Sequence, residues 1–311
     1  MRAVGITEFG GPEVLQIVER PMPEPGAGQV RIRVAAATVN PTDIALRQGV
    51  FGPPPDTAGP PYIPGMELAG IIDLASPGSD WPVGERVMAI VSPRSAGGGA
   101  QAEFVVVPED SVARVPDAIG LTAAATLPMN GLTARRALDL LALEPGHTLA
   151  VTGAAGAVGG YTSQLAAAEG LKVVADAAPS DAGLVYSLGA DIVVDRGDDV
   201  ATAIRRAVPG GVDALLDAAV IGGPVLPAVR DGGQIAAVRP FQGDSERDVS
   251  ITLVLVSDYM HAGDKLAALA DQVSAGQVTL RVAAEMPAEE AAQAHRRFEA
   301  GGVRGRLVLT F

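Results

Sequence analysis

The chain has 311 residues, 48% of them hydrophobic and 19% charged, with a formal net charge of -13 and no cysteine. That is enough length for about two domains and enough apolar material for buried cores. The acidic balance disfavours nonspecific binding to nucleic acid or anionic membrane, and the missing thiols exclude disulfides, thiolate metal sites and a cysteine nucleophile.

The first residues, MRAVGITEFGG, place no long apolar core behind a basic start, so no signal peptide is expected. From there to about residue 120 the chain reads as strands and loops. Val30–Ala35 alternates like a half-buried strand, and Leu68–Leu74, Arg86–Val91 and Glu103–Val107 are further short apolar segments. Proline and glycine punctuate them, most densely in FGPPPDTAGPPYIPG. This texture predicts a partly closed β-barrel with long loops.

Near Leu121 the texture changes. Leu121–Leu127 and Gly131–Leu141 read as helices. From Thr148 to about Gly276 strands alternate with helices: strand Thr148–Thr152, helix Gly159–Glu169, strand Lys172–Ala175, helix Asp181–Leu188, strand Ile192–Val194 and helix Val200–Val208. Ala214–Ala218, Gln234–Val238 and Ile251–Val256 continue the strands, and His261 opens a helix. Such alternation predicts a parallel sheet covered by helices on both faces. After Gly276, strand-like Gln277–Ala283 and Arg306–Phe311 flank a helix at Ala288–Ala300. The expected domains are 1–120 plus 277–311, and 121–276. The longest apolar runs are far shorter than a membrane span, and a cytoplasmic protein is expected.

The sharpest local pattern is LAVTGAAGAVGGYTSQLAAAEGLKVVADAA. A strand runs into Gly153, Ala155, Gly156, Ala157, Val158 and Gly159, a helix follows, and a second strand comes after it. Glycine there lets backbone N–H groups approach a pyrophosphate, and the helix N-terminus adds its partial positive charge. The spacing is G-x-x-G-x-x-G rather than G-x-G-x-x-G, so the strand–helix–strand setting carries the dinucleotide reading.

With these residues in view, the sequence resembles the medium-chain dehydrogenase/reductase superfamily, in its zinc-independent quinone oxidoreductase-like (zeta-crystallin-like) branch. MRAVGITEFGGPEVLQIVERPMPEPGAGQVRIRVAAATVNPTD, IPGMELAG, WPVGERV, AEFVVVPEDSVARVPD, LPMNGLTARRAL, EPGHTLAVTGAAGAVG and HRRFEAGGVRGRLVL follow in that family's order. The resemblance implies a Rossmann doubly wound parallel sheet inserted into a GroES-like β-barrel domain. It also implies hydride transfer from a reduced nicotinamide to a quinone or α,β-unsaturated carbonyl, and a homodimer. Zinc-dependent relatives carry cysteine at Asn40 and a His-Glu pair at Met66-Glu67; here carbonyl polarisation would come from hydrogen bonds or a proton donor.

The resemblance also implies roles for single residues. Asn40 and Asp43 match its N-x-x-D; Asn40 would bind the substrate carbonyl or the nicotinamide ribose, or else shape a turn. Phe51 stands at the tyrosine position of many relatives and Ala45 at another, so Tyr62 becomes the candidate proton donor, or else packs its loop against the prolines, and Phe51 a pocket wall. Thr133 and Asn130 would face the nicotinamide, or start a helix. Val220, Val238 and Arg239 follow the fourth and fifth Rossmann strands, where relatives contact ribose and nicotinamide. Arg304 would clamp the pyrophosphate. Asp176 closes the second strand, where an acid binds ribose hydroxyls and repels a 2′-phosphate. Asp181 and Asp195 stand where NADPH-using relatives place a lysine and a tyrosine, and Ser180 and Arg196 are the nearby phosphate-holding groups. The family implies NADP(H) while the local chemistry leans to NAD(H); NADP(H) is the expectation. A nucleotide-binding protein with little or no catalysis, a redox sensor or crystallin-like stabiliser, is the alternative.

Overall fold

The computed structural model describes residues 1–55, 57 and 59–311. In chain order, β1 (Arg2–Ile6) and β2 (Leu15–Glu19) form an antiparallel pair, and β3 (Gln29–Thr38) follows. Val30, Ile32, Val34 and Ala36 of β3 are all buried, the period-two pattern of a strand with a core face. Next come α1 (Pro41–Arg47), β4 (Glu67–Ala75), β5 (Arg86–Ile90), β6 (Phe104–Pro108), β7 (Val112–Arg114), α2 (Leu121–Ala124) and α3 (Pro128–Leu141). Then β8 (Thr148–Thr152), α4 (Ala157–Ala168), β9 (Lys172–Ala177), α5 (Ala182–Ser187), β10 (Ile192–Asp195), α6 (Val200–Ala207), β11 (Val212–Asp217), β12 (Val229–Ala237) and β13 (Ser250–Leu253) alternate. The chain ends with α7 (Gly263–Ser274), β14 (Val282–Pro287), α8 (Ala291–Glu299) and β15 (Arg306–Thr310).

These elements form two units. The first holds Met1–Met129, Met260–Ser274 and Leu280–Phe311; the second holds Asn130–Tyr259 and Ala275–Thr279. The first unit contains a seven-stranded sheet ordered β14-β15-β3-β4-β5-β7, with β6 also on β3. Its pairings are antiparallel except β14 on β15, the GroES-like pattern. Ile32, Leu68, Ile72, Val87, Ala89 and Val105 fill its centre. α7 packs here because Gly263 leaves no room for a side chain: a Cβ would lie 2.6 Å from the Val112 carbonyl oxygen. The second unit holds a six-stranded parallel sheet ordered β10-β9-β8-β11-β12-β13. The chain reverses its direction of travel between β8 and β11, the place where doubly wound sheets open a crevice at the strands' carboxyl ends. Among the described residues, no helix is long and apolar enough to cross a membrane.

Several elements differ from the sequence expectation. α3 starts at Pro128 rather than Gly131, because proline suits a first helical residue, where its missing N–H costs nothing. The strand expected over Gln277–Ala283 forms instead at Val282–Pro287. Gln164 Oε1 accepts the Thr279 N–H at 2.7 Å, which ties that stretch to α4 within the second unit.

One buried cluster in the first unit sets a pH response. His295 on α8 is fully buried, and neither ring nitrogen has a hydrogen-bond partner. Burial, with the Arg47 guanidinium nearby, pushes its pKa from 6.5 down to about 3. Arg47 is itself buried and pairs with Glu299. A folded pKa below the unfolded one means that the unfolded chain takes up the proton first. This contribution to stability is therefore complete above pH 6.5 and lost as pH falls toward 3. Asp43, pushed up to about 7 by burial, contributes with the opposite sign in an overlapping window. The test is thus a difference: denaturation curves of the wild type and His295→Leu between pH 7 and 4. The wild type should lose up to about 1.4 kcal/mol more per pH unit than the variant. Parallel curves would refute the assignment.

Candidate functional site

The glycine run at the end of β8 forms a cradle dictated by sterics. Gly153 adopts φ +67, and a Cβ there would sit 3.2 Å from Ala218 and Ala219 of the loop after β11. The two loops flanking the β8/β11 switch point therefore touch at their backbones. A Cβ on Gly159 would lie 2.4 Å from the Gly153 carbonyl oxygen, so α4 can approach β8 this closely only with glycine. Gly156 is the N-cap of α4, exposed and without any side-chain cap, and Gly156 N–H donates to the Gly153 carbonyl at 2.9 Å. By helix geometry, the first amides of α4, including Ala157, Val158 and Gly159, have no intrahelical acceptor and point out of the helix end. Ala155, Ala157 and Val158 are half-buried around this opening. A twelve-residue helix with no side-chain cap and glycine at its mouth suits an anionic diphosphate.

Carboxylates hold the rest of this crevice. Asp176, on β9, is buried and accepts the Gly153 N–H at 2.7 Å and the Ala154 N–H at 3.3 Å through one oxygen, Oδ1. Burial raises its pKa, the amides lower it, Arg196 lowers it and Asp217 raises it. Asp217, at the end of β11, accepts from Thr152 Oγ1 at 2.9 Å, Ile221 N–H at 3.1 Å and Gly222 N–H at 2.8 Å. That grip bends the loop so that Val220 sits at φ 59, where a β-branched side chain is strained, and 51% exposed. Val238 N–H reaches the Asp217 carbonyl at 3.4 Å, which puts the ends of β11 and β12 side by side. Ser180, Asp195 and Arg196 are exposed, whereas Asp181 is buried.

A second polar cluster lies in the first unit. Asn40 N-caps α1 with Pro41 behind it; its backbone N–H donates to Asp43 Oδ2 at 2.8 Å. The other Asp43 oxygen accepts the Gly65 N–H at 2.9 Å. The Asn40 side-chain nitrogen donates to Thr38 Oγ1 at 2.8 Å and to Glu67 Oε1 at 3.0 Å. Glu67 also accepts the Thr38 hydroxyl and, through Oε2, the Met129 N–H at 2.7 Å. All four side chains are fully buried. Burial raises the Glu67 pKa, against the Arg306 guanidinium and these hydrogen bonds, which lower it.

The structure revises several single-residue expectations. Asn40 does not offer its amide nitrogen to a substrate carbonyl, because Thr38 and Glu67 occupy it. Tyr62 is a core residue: its ring is 7% exposed and stacks on Phe9 with centroids 5.5 Å apart. Phe51 is 41% exposed rather than walled into a pocket, and its carbonyl accepts from Arg94. Arg304 falls in the first unit, half-buried, with Nη1 donating to the Val303 carbonyl. Asn130 and Thr133 lie buried on α3 in the second unit, which also holds Gly153 to Gly159, Asp176, Val220 and Val238. His261 is exposed, 2.7 Å from Asp110. In the sequence Glu67 stands out only beside Met66, where zinc-dependent relatives carry a His-Glu pair; its hold on Thr38, Asn40 and Met129 has no local signal. Among the described residues, no group of three His, Cys, Asp or Glu is placed to hold a metal ion.

Known proteins share this architecture. Residues 26–117 match the alcohol dehydrogenase GroES-like domain, and residues 188–309 match the family described as zinc-binding dehydrogenase. Mouse (Mus musculus) quinone oxidoreductase is 31% identical over 329 residues, covering 99% of this chain and 97% of that protein. Mouse synaptic vesicle membrane protein VAT-1 homolog-like is 34% identical over 219 residues, 70% of this chain and 51% of that protein. The alignment thus spans about half the length of that relative. Among solved structures, an NAD-dependent alcohol dehydrogenase superposes with a TM-score of 0.88 at 29% identity, with both chains fully covered. A mycobacterial protein complexed with NADPH gives 0.86 at 28%, again with both chains fully covered.

The Gly159 contact yields a direct prediction. Gly159→Ala must push α4 away from Gly153, so stability should fall by about 1–3 kcal/mol. Dinucleotide affinity, read by calorimetry, should fall at least about tenfold as the helix end moves. Unchanged affinity in a folded variant would show that α4 does not carry the site.

Proposed function

Because the chain belongs to the quinone oxidoreductase-like branch of the medium-chain dehydrogenase/reductase superfamily, we propose that it is a zinc-independent NAD(P)H oxidoreductase that reduces quinones. The observation that carries this reading is the α4 N-terminus, with glycine and no side-chain cap at its N-cap position, behind Gly153, Gly156 and Gly159 at the sheet's switch point. The backbone amides of Ala157 and Val158 would hold the pyrophosphate, and Asn130, Thr133, Val220 and Val238 would border the nicotinamide half. When bound, the reduced nicotinamide supplies a hydride to the acceptor.

The proton inventory favours quinones over enones. Hydride addition to a quinone leaves an aromatic hydroquinone anion, which takes its proton from water and needs no protein acid. An enone leaves an enolate that must be protonated on carbon, a step that calls for a positioned donor. Tyr62 is largely buried and stacked on Phe9, and the Asn40 amide nitrogen is engaged, which weighs against either as that donor. Zinc independence is supported by the donor set, since Asn40 and Met66 stand where zinc-dependent relatives carry cysteine and histidine and the chain has no thiol. The homodimer finds support in β13, an edge strand whose Leu253 is 39% exposed.

For the cofactor, Asp176 points to NAD(H) rather than the NADP(H) that the resemblance implies. Its Oδ1 is spent on the Gly153 and Ala154 amides, which leaves Oδ2 for a ribose hydroxyl. A 2′-phosphate there would meet this carboxylate and nearby Asp217, with exposed Arg196 as the counter-charge. Side-by-side calorimetry should find NADH at least about tenfold tighter than NADPH. Asp176→Asn keeps an acceptor for Gly153 and removes the charge, so it should narrow that gap. Equal or tighter NADPH binding by the wild type would reverse the cofactor assignment. Steady-state oxidation of NADH with a panel of benzoquinones and enones tests the reaction. Tight cofactor binding without turnover would favour a nucleotide-binding protein with little catalysis, a reading the occupied Asn40 amide also supports.

A further inference from the structure

We infer that Glu67 is the positioning residue of this enzyme, tying the β3–α1 corner at Asn40 to the first turn of α3. The inference rests on the nicotinamide reading of α3 above. Three observations carry it. Glu67 divides its two oxygens between separate tasks: Oε1 takes Thr38 and Asn40, and Oε2 takes the Met129 N–H at 2.7 Å. Met129 is the second residue of α3, so its amide lies in the first turn, where helix amides have no intrahelical acceptor. A carboxylate from β4 thus caps a helix to which it is not joined in sequence, and it acts on the helix's positive end. α3 then runs on without a break through Asn130 and Thr133, one helical turn apart. A shift of its first turn moves both.

The cluster suits an acid anion. Thr38, Asn40 and Met129 all present donors, and an acid anion offers lone pairs to each without a hydrogen of its own. Glutamine has the same shape but turns an N–H₂ toward one of these donors. Aspartate keeps the charge but is one methylene shorter, so it does not span Asn40 and Met129 together. Charged groups that act on Glu67 among the described residues include Asp43 from α1 and Arg306 from β15.

The test compares Glu67→Gln with the wild type in three readouts. Without cofactor, amide hydrogen exchange at 129–133 should quicken by at least about tenfold as the cap is lost. The NADH dissociation constant should change by less than about threefold, since the β8–α4 cradle is untouched, while kcat with a quinone falls by at least about tenfold. Glu67→Asp should not restore kcat. Should Glu67→Gln fail to fold, Thr38→Val carries the same test, because it removes one donor to the carboxylate and leaves both Asp43 amide contacts intact. A carboxylate with one donor fewer is harder to ionise, so the acid limb of the kcat profile should move to higher pH. Unchanged exchange at 129–133 with wild-type kcat, or an unmoved acid limb in Thr38→Val, overturns the proposal while NADH turnover by the wild type stands. A wild type that binds neither NADH nor NADPH overturns the nicotinamide reading and this inference with it.

Discussion

No side chain fits between Gly159 and the carbonyl of Gly153, and the nucleotide half of the molecule is arranged around that gap. The 2.4 Å that a Cβ would leave is far inside any van der Waals contact. Its absence lets α4 lie against β8 with its N-terminus at the end of the strand. Gly153 does the same on the other side, where its backbone meets Ala218 and Ala219. Two missing side chains thus bring a helix end, a strand end and the neighbouring loop into one crevice. No polar side chain is needed to make that crevice attractive to an anion, because backbone amides supply the field. This reconciles a net charge of -13 with a nucleotide site.

The fold was legible where one interaction dominates and repeats. Alternation of strand and helix from β8 to β13 follows from apolar periodicity, and the order β10-β9-β8-β11-β12-β13 is the regular outcome of right-handed crossovers. The glycines were legible for the same reason, since each marks a close approach that leaves no other choice of residue. The partners of buried polar side chains were not legible. Asn40 in an N-x-x-D pattern reads equally as a ligand for substrate and as a helix cap, and only the placement of Glu67 decides. Tyr62 sits in a proline-rich loop whose path depends on contacts with Phe9 and Ile6, far away in sequence. β14 was misplaced because nothing local shows that Thr279 is held by Gln164, more than a hundred residues earlier.

Many of the long-range polar contacts share one chemistry. Asp43 holds the amides of Asn40 and Gly65, Glu67 that of Met129, Asp176 those of Gly153 and Ala154, and Asp217 those of Ile221 and Gly222. Asp191 and Asp213 do the same for Val173 and Thr148 at the strand starts. In each case the amide belongs to a loop, a helix end or a strand end, where no regular ladder supplies an acceptor. A carboxylate serves because it accepts several hydrogen bonds and donates none.

Burying these acids is costly, and the costs differ in a way that tracks their use. Asp213 is only partly buried and its pKa is lowered, so its clasp favours the ionised fold outright. Asp43, Glu67 and Asp176 are raised by burial despite their donors. Each sits in desolvating surroundings and near a second acid: Asp43 beside Glu67, and Asp176 beside Asp217. A chain selected for stability alone would do better with amides paired to neutral carbonyls, because an uncompensated buried charge works against folding. The raised acids hold the α1 N-cap, the first turn of α3 and the glycine cradle, where loops and helix ends leave amides without a ladder, whereas the lowered one fastens a strand start at the rim of the sheet.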